Sequence, residues 1–340
     1  MTTTEYPAFK PTETWYLDEI DPAVDRARQK MNRKNPKLLI RELQDQVHVS
    51  ENGIRYAVLK GDHPEEYSDT EALVMFNPFA NAATPNMLVR TEFIREVARF
   101  SDIRDEKGKL KPVVMLASPG IVGSKLKLSV KEKIQIMGGG LGPAAKELLH
   151  AISTTEIGSV ALLGYSQGAD MALAGARSAY SANLDTSAIS VGDPVRVEQR
   201  QIPRLAYDFF RAPSLTASIE ATGLDAQKES VGKGRYEGSR FVGSIISQPI
   251  NWDLIMGMTA NTFERRVQEI INEGRVDRLV VGYGSESRVA KPRVIEPALQ
   301  RLHDEFDTSG ILTSVKIAGG NHTWGDQMTI LAKLYMRALA

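Results

Sequence analysis

From residue 71 onward the apolar residues gather in short runs: Ala72 to Phe76, Val113 to Ala117, Val160 to Leu163, Ala188 to Val191, Leu279 to Val281 and Ile311 to Ile317. Runs that are mostly apolar, and so apolar on both faces, predict strands of a parallel sheet covered by helices. The segments between them carry a helical period. Phe263, Val267, Ile270 and Ile271 fall at i, i+4, i+7 and i+8, and Gly274 supplies the stop. Strand alternating with helix predicts an α/β architecture, a mostly parallel twisted sheet flanked by crossover helices.

The pattern differs at both ends of this region. Gln46 to Ser50 and Ile54 to Lys60 flank Glu51-Asn52-Gly53, and Asn-Gly between two strand-like runs predicts an antiparallel hairpin. Residues 1–44 are polar and mixed in charge, with Arg26, Arg28, Lys30, Arg33, Lys34 and Lys37 interleaved with few apolar positions. They read as an N-terminal extension whose helix packs on the domain with a solvated face. Between the fifth and sixth runs, residues 196–261 are too long for one crossover and too rich in Leu, Phe, Trp, Ile and Met for a disordered linker. They predict a helical cap, or lid, inserted late in the sheet. The core is then 45–195 together with 262–340.

Charge and residue inventory narrow the function. Forty-two basic and forty-two acidic residues cancel, so no global field gathers the chain onto nucleic acid or an anionic membrane. The opening Met1-Thr-Thr-Thr-Glu-Tyr-Pro lacks the order of a secretory signal, and no window approaches the roughly 18 apolar residues of a membrane span. A cytoplasmic location is the expectation. The absence of cysteine removes disulfides and thiolate nucleophiles. The histidines (His48, His63, His150, His303, His322) lack metal-site spacing, so no metal and no cofactor is expected. Gly140-Leu-Gly142-Pro-Ala-Ala145 satisfies a dinucleotide pattern, but Pro143 stiffens the turn and no ribose-binding acid follows on a strand end.

The chemistry-bearing motif is Gly164-Tyr165-Ser166-Gln167-Gly168, a match to G-x-S-x-G. A chain of this length meets that pattern by chance about 0.1 times, so its context decides. Ser159 to Leu163 reads as a buried strand running into it, and Ala169 to Tyr180 as an Ala-rich helix running out, the strand–elbow–helix setting in which a serine is exposed as a nucleophile. The small flanking residues allow strand and helix to approach around a strained turn. The N–H of Gln167 then lies at a helix N-terminus, where an oxyanion would form.

With these residues the chain resembles the α/β-hydrolase superfamily over roughly residues 45–340, with 196–261 in the place of that family's variable lid. The resemblance implies nucleophile, acid and histidine in that chain order. His322, in Gly319-Gly320-Asn321-His322-Thr323-Trp324 after the last strand-like run, stands where such enzymes carry their base. For the acid two carboxylates lead, with Asp326, which also reads as a helix N-cap, behind them. Glu286 follows the strand ending Gly282-Tyr283-Gly284, one residue before Ser287, where the family most often has Asp; Asp193, in Gly192-Asp193-Pro194, follows the preceding strand. Chain order favours Glu286, with Asp193 as the alternative. The second oxyanion donor is expected in Asn77-Pro78-Phe79-Ala80-Asn81, with Phe79 favoured because Pro78 has no N–H. Gly-Tyr-Ser-Gln-Gly followed by Gly-Asp-Pro also resembles cutinases, from which the chain departs in lacking cysteine.

The resemblance implies a serine esterase acting through an acyl-enzyme on a small acyl substrate, with the apolar cap pointing to an apolar acyl or alcohol portion. A thioesterase, lactonase or acyltransferase on the same residues, and a non-catalytic binding protein on the same fold, are the alternatives. The sequence does not set the oligomeric state.

Overall fold

The computed structural model describes residues 9–19, 21–78, 84–118, 126–153, 155–210, 223–231, 249–322 and 327–339. Its strands are β1 (Glu13–Tyr16), β2 (Val47–Val49), β3 (Arg55–Leu59), β4 (Glu71–Phe76), β5 (Val113–Leu116), β6 (Ser159–Tyr165), β7 (Asp185–Gly192), β8 (Arg278–Gly284) and β9 (Leu312–Ala318). Its α-helices are α1 (Pro22–Asn32), α2 (Pro36–Gln44), α3 (Pro85–Phe100), α4 (Val130–Met137), α5 (Gly142–His150), α6 (Gln167–Ser181), α7 (Ile202–Phe210), α8 (Asp225–Val231), α9 (Pro249–Met258), α10 (Phe263–Glu273), α11 (Pro292–Arg301) and α12 (Met328–Arg337).

Each of the apolar runs is a strand, and all the strands join in one sheet in the order β1-β9-β8-β7-β6-β4-β5-β3-β2. The β2–β3 and β3–β5 pairs are antiparallel, and the other pairs are parallel. The hairpin turns at Asn52-Gly53, where Gly53 adopts φ 83°, and α10 ends at Gly274 in the left-handed conformation. No helix among the described residues is long and apolar enough to cross a membrane.

Side-chain alternation divides the interior into two layers. Ala72, Val74, Phe76, Val160 and Leu162 pack with Leu148 of α5, Leu173 of α6 and Val267 of α10. Leu73, Met75, Ala161, Leu163 and Tyr165 pack on the other face with Leu88 and Phe93 of α3 and Leu331 and Tyr335 of α12. With both faces covered, β4, β5 and β6 are buried at nearly every position, while β9, beside the edge strand β1, keeps a partly alternating pattern.

The N-terminal segment does more than pack as a helix. Residues 13–16 form an edge strand beside β9, with Tyr16 opposite Ala318, and Thr12 N–H donates to Ser314 Oγ at 3.0 Å. In that strand only Trp15 is buried, so its four residues offered no apolar run to recognise. This strand braces β9, from whose end the chain leads to His322.

The ends of the interval 196–261 meet at its base. The N–H groups of Thr262 and Phe263 both donate to the carbonyl of Arg196, each at 3.1 Å, and Arg200 N–H donates to Thr259 O at 2.9 Å. Its described portions include α7, α8 and α9, while 211–222 and 232–248 lie outside the described residues. The α8 helix packs on α2 and α3, and α9 on α4, where a Cβ on Gly257 would come 2.3 Å from Ile136 O.

A buried ionic cluster ties α3 to α1 and to Tyr67 in the segment before β4. Arg95 places two nitrogens on Glu92 at 2.8 and 2.7 Å and one on Glu96 at 2.6 Å, and it also bonds Tyr67 Oη. Lys30 reaches Glu96 from α1 at 2.6 Å. Burial alone would raise the Glu96 carboxyl, but Arg95 and Lys30 outweigh it and hold it below the ordinary range. Arg95→Met is expected to take from buried Glu92 the cation bonded to it, leaving Glu96 with Lys30, and to cost about 3–5 kcal/mol, measured by urea unfolding.

Candidate active site

Between β6 and α6 the chain reverses within one residue. Ser166 adopts φ 57° and ψ −126°, a region costing a non-glycine residue on the order of 1–3 kcal/mol. The turn is tight because a Cβ on Gly164 would lie 2.1 Å from Gly168 O, and one on Gly168 would lie 2.2 Å from Phe76 O. Any side chain at either position would drive α6 off the ends of β4 and β6. The two glycines of the motif therefore let Ser166 stand at the carboxyl end of the sheet. Its N–H donates to Gly192 O at 2.8 Å, tying the elbow to the end of β7.

His322 comes to Ser166 from the loop after β9. Its Nε2 lies 3.1 Å from Ser166 Oγ, and its ring stacks on Tyr165 with centroids 5.7 Å apart. On the far side of the ring Nδ1 bonds Asp193 Oδ2. A carboxylate there keeps the hydrogen on Nδ1 and leaves the Nε2 lone pair facing the serine. Asp193 is fully buried, and its backbone is left-handed at φ 48°, a conformation that Asp tolerates better than most residues. Gly284 N–H donates to its Oδ1 at 3.2 Å and Ser287 Oγ to its Oδ2 at 2.7 Å.

The two candidate acids thus separate. Asp193, the alternative, occupies the position at Nδ1, and Glu286, which chain order favoured, does not. The Glu286 side chain is exposed, while its N–H donates to Gly320 O at 2.7 Å. With its backbone committed there, Glu286 holds the histidine loop from behind and its carboxylate meets water. Because β7 and β8 are neighbours whose ends lie side by side, a carboxylate can reach the ring from either strand end, and chain order alone does not say which one does.

The rest of the site is buried and polar. The side chains of Asn77 and Gln167 are 5% and 1% exposed, and Asn77 Nδ2, Asn77 Oδ1 and Gln167 Nε2 have no hydrogen-bond partner among the described residues. Gln167 heads α6, and its N–H belongs to the first turn, which has no carbonyl one turn back to receive it. Phe79 and Asp326 lie outside the described residues.

One supporting residue was not anticipated. Asp170, one turn into α6, is fully buried and accepts the N–H of Val195 at 3.0 Å, pinning the loop that carries Asp193. Burial pushes its carboxyl up and pushes the neighbouring Arg196 guanidinium down to about 10. Arg196 and Arg266 both donate to Gly139 O, at 2.9 and 2.7 Å. The available signal was an Asp four residues after Ser166 in an otherwise Ala-rich helix.

The other histidines stand apart: His48 beside Tyr56, His63 beside Glu65, His150 beside Ser153, and His303 beside Asp307 and Ser314. A cleft of about 390 Å³ lined by Ser159, Tyr180 and Asp185 lies at the amino ends of β6 and β7, away from the carboxyl ends where open α/β sheets bind ligands.

The elbow geometry gives a direct test. Gly168→Ala is expected to cost about 3 kcal/mol or more by overpacking, whereas Gly158→Ala, with nothing within 4 Å of the added methyl, should stay within about 0.5 kcal/mol. Thermal and urea unfolding of both variants measures the difference.

No family model and no curated protein matches the chain. Solved structures similar to it include a 2-hydroxy-6-oxo-6-phenylhexa-2,4-dienoate hydrolase from Rhodococcus, 13% identical over 86% of this chain and 98% of that one, with a TM-score of 0.49. A bacterial membrane phospholipase A is 15% identical over 89% and 92%, with a TM-score of 0.49. A thermophilic esterase from Thermogutta terrifontis is 14% identical over 86% and 97%, with a TM-score of 0.43. The strand order and the elbow define the fold independently of these likenesses. A mostly parallel sheet flanked by helices, with a serine at the turn from β6 to α6 and a histidine beyond the end of β9, gives this chain the α/β-hydrolase architecture.

Proposed function

We propose that the protein is a serine hydrolase of carboxylic esters, with Ser166 as nucleophile, His322 as base and Asp193 as the acid. The observation that carries this reading is the continuous hydrogen-bonded line from Ser166 Oγ through the His322 ring to Asp193 on a strained strand-to-helix turn. An ordinary structural serine does not require that strain, and a structural histidine does not require a buried carboxylate on its far nitrogen.

In the first half-reaction Ser166 Oγ bonds to the acyl carbon while its proton passes to His322 Nε2. The carbonyl oxygen becomes an oxyanion against the N–H of Gln167, and Asp193 stabilises the imidazolium as it forms. Collapse breaks the ester C–O bond, and the leaving alcohol takes the proton from His322. Water then attacks the acyl-enzyme with His322 again as base, releasing the carboxylic acid and restoring Ser166. The segment 196–261 serves in this account as a lid, and its Phe, Trp, Met and Ile content suits an apolar acyl or alcohol portion. Residues 45–195 with 262–340 form the catalytic core.

Hydrolysis of para-nitrophenyl esters of graded chain length tests the activity and the choice of acid together. Asp193→Asn is expected to lower kcat by about three to four orders of magnitude, because an amide neither fixes the tautomer nor stabilises imidazolium. Glu286→Gln should stay within about twofold of wild type, as surface substitutions usually do. A crippled Glu286→Gln beside an active Asp193→Asn would overturn the assignment.

A further inference from the structure

The hydroxyl of Ser287 has no freedom to point elsewhere. Its oxygen receives the N–H of Val289 at 3.2 Å and the N–H of Ala290 at 3.0 Å, which occupy its two lone pairs and leave only its hydrogen to give. That hydrogen goes to Asp193 Oδ2 at 2.7 Å, the same oxygen that bonds His322 Nδ1. With Gly284 N–H on Oδ1, three donors fix the plane of a carboxylate that is itself fully buried, and Ser287 is only 4% exposed.

The loop is held in turn from the base of the inserted segment. The Arg200 guanidinium bonds Val289 O, and its Nε reaches Glu198 at 2.6 Å. Lys291 closes onto the same Glu198 oxygen. The two amides that aim the hydroxyl therefore belong to a braced turn and not to a free loop.

We propose that Ser287 is a positioning residue for the acid, so that the work of orienting His322 is divided between two neighbouring strand ends: β7 supplies the charge through Asp193, and the loop after β8 supplies the direction through a hydroxyl. Ser287 acts through Asp193 and touches no reacting atom. A carboxylate that shares its proton-facing oxygen with a fixed hydroxyl is also a weaker acceptor toward Nδ1 than an unshared one, so Ser287 sets the strength of the histidine–aspartate bond as well as its direction. The proposal rests on Ser166, His322 and Asp193 acting as described above.

Ser287→Ala, Ser287→Cys and Ser287→Thr, compared with wild type for ester turnover and for the low-field proton resonance of His322 Nδ1–H, test it. Ser287→Ala is expected to lower kcat about ten- to a hundredfold with KM unchanged, the scale of losing one hydrogen bond to a charged group, and to move the resonance. Ser287→Thr keeps the hydroxyl and should restore both. Ser287→Cys keeps the packing but donates weakly, so it should fall between them and carry the test if the alanine variant does not fold. A resonance unmoved in Ser287→Ala and Ser287→Cys, or a fall in kcat that only tracks the folded fraction, overturns the proposal. A wild-type protein without esterase turnover overturns the functional reading instead, and the resonance still decides the role of Ser287.

Discussion

The backbone of α6 lies against the end of β4 so closely that a methyl group on Gly168 would sit 2.2 Å from the Phe76 carbonyl, and the geometry of the site follows from that contact. Because helix and strand meet there, the chain leaving β6 has one residue in which to turn, and Ser166 takes the strained angles that this demands. A looser approach would relax the angles and withdraw the hydroxyl from the end of the sheet. The strain is sustained by the packing of α6 on the sheet, where Phe76 and Leu162 close on Gly175, which is the sense in which a core of this size supports a local conformation costing a few kcal/mol.

Around that fixed point, backbone hydrogen bonds between strand ends bring the remaining residues together. Ser166 N–H is tied to Gly192 O, Asp193 N–H to Gly282 O at 2.8 Å, and Glu286 N–H to Gly320 O. Each bond joins the loop of one strand to the neighbouring strand or loop, so the serine, the acid and the histidine are placed by the sheet and not by their own side chains. Asp170 and Ser287 add side-chain bonds to the acid loop and the acid itself, respectively. These are buried groups whose removal leaves partners unsatisfied, which makes the arrangement stiff.

Much of this was legible in the sequence because it is local. Short apolar runs specify buried strands, and Gly164 and Gly168 announce a close approach whatever the rest of the chain does. His322 was legible from its place after the final strand. The carboxylate at the histidine's far nitrogen was not, since the choice between Glu286 and Asp193 depends on which side chain faces inward where two parallel strands end together, a property of the sheet and not of either segment. Residues 13–16 escaped for a different reason: an edge strand with a single buried side chain has no pattern to show. Asp170 is an acid in an Ala-rich helix, which reads as solvated until the loop bearing Val195 is folded over it.

If Ser166 is an activated nucleophile, it reacts with an electrophile whether or not its substrate is known, and covalent capture measures that reactivity. A fluorophosphonate probe, followed by peptide mass spectrometry, should place its adduct on Ser166 of the wild-type protein and leave folded Ser166→Ala unlabelled. Equal labelling of the alanine variant, or no labelling of the folded wild-type protein, would contradict the account.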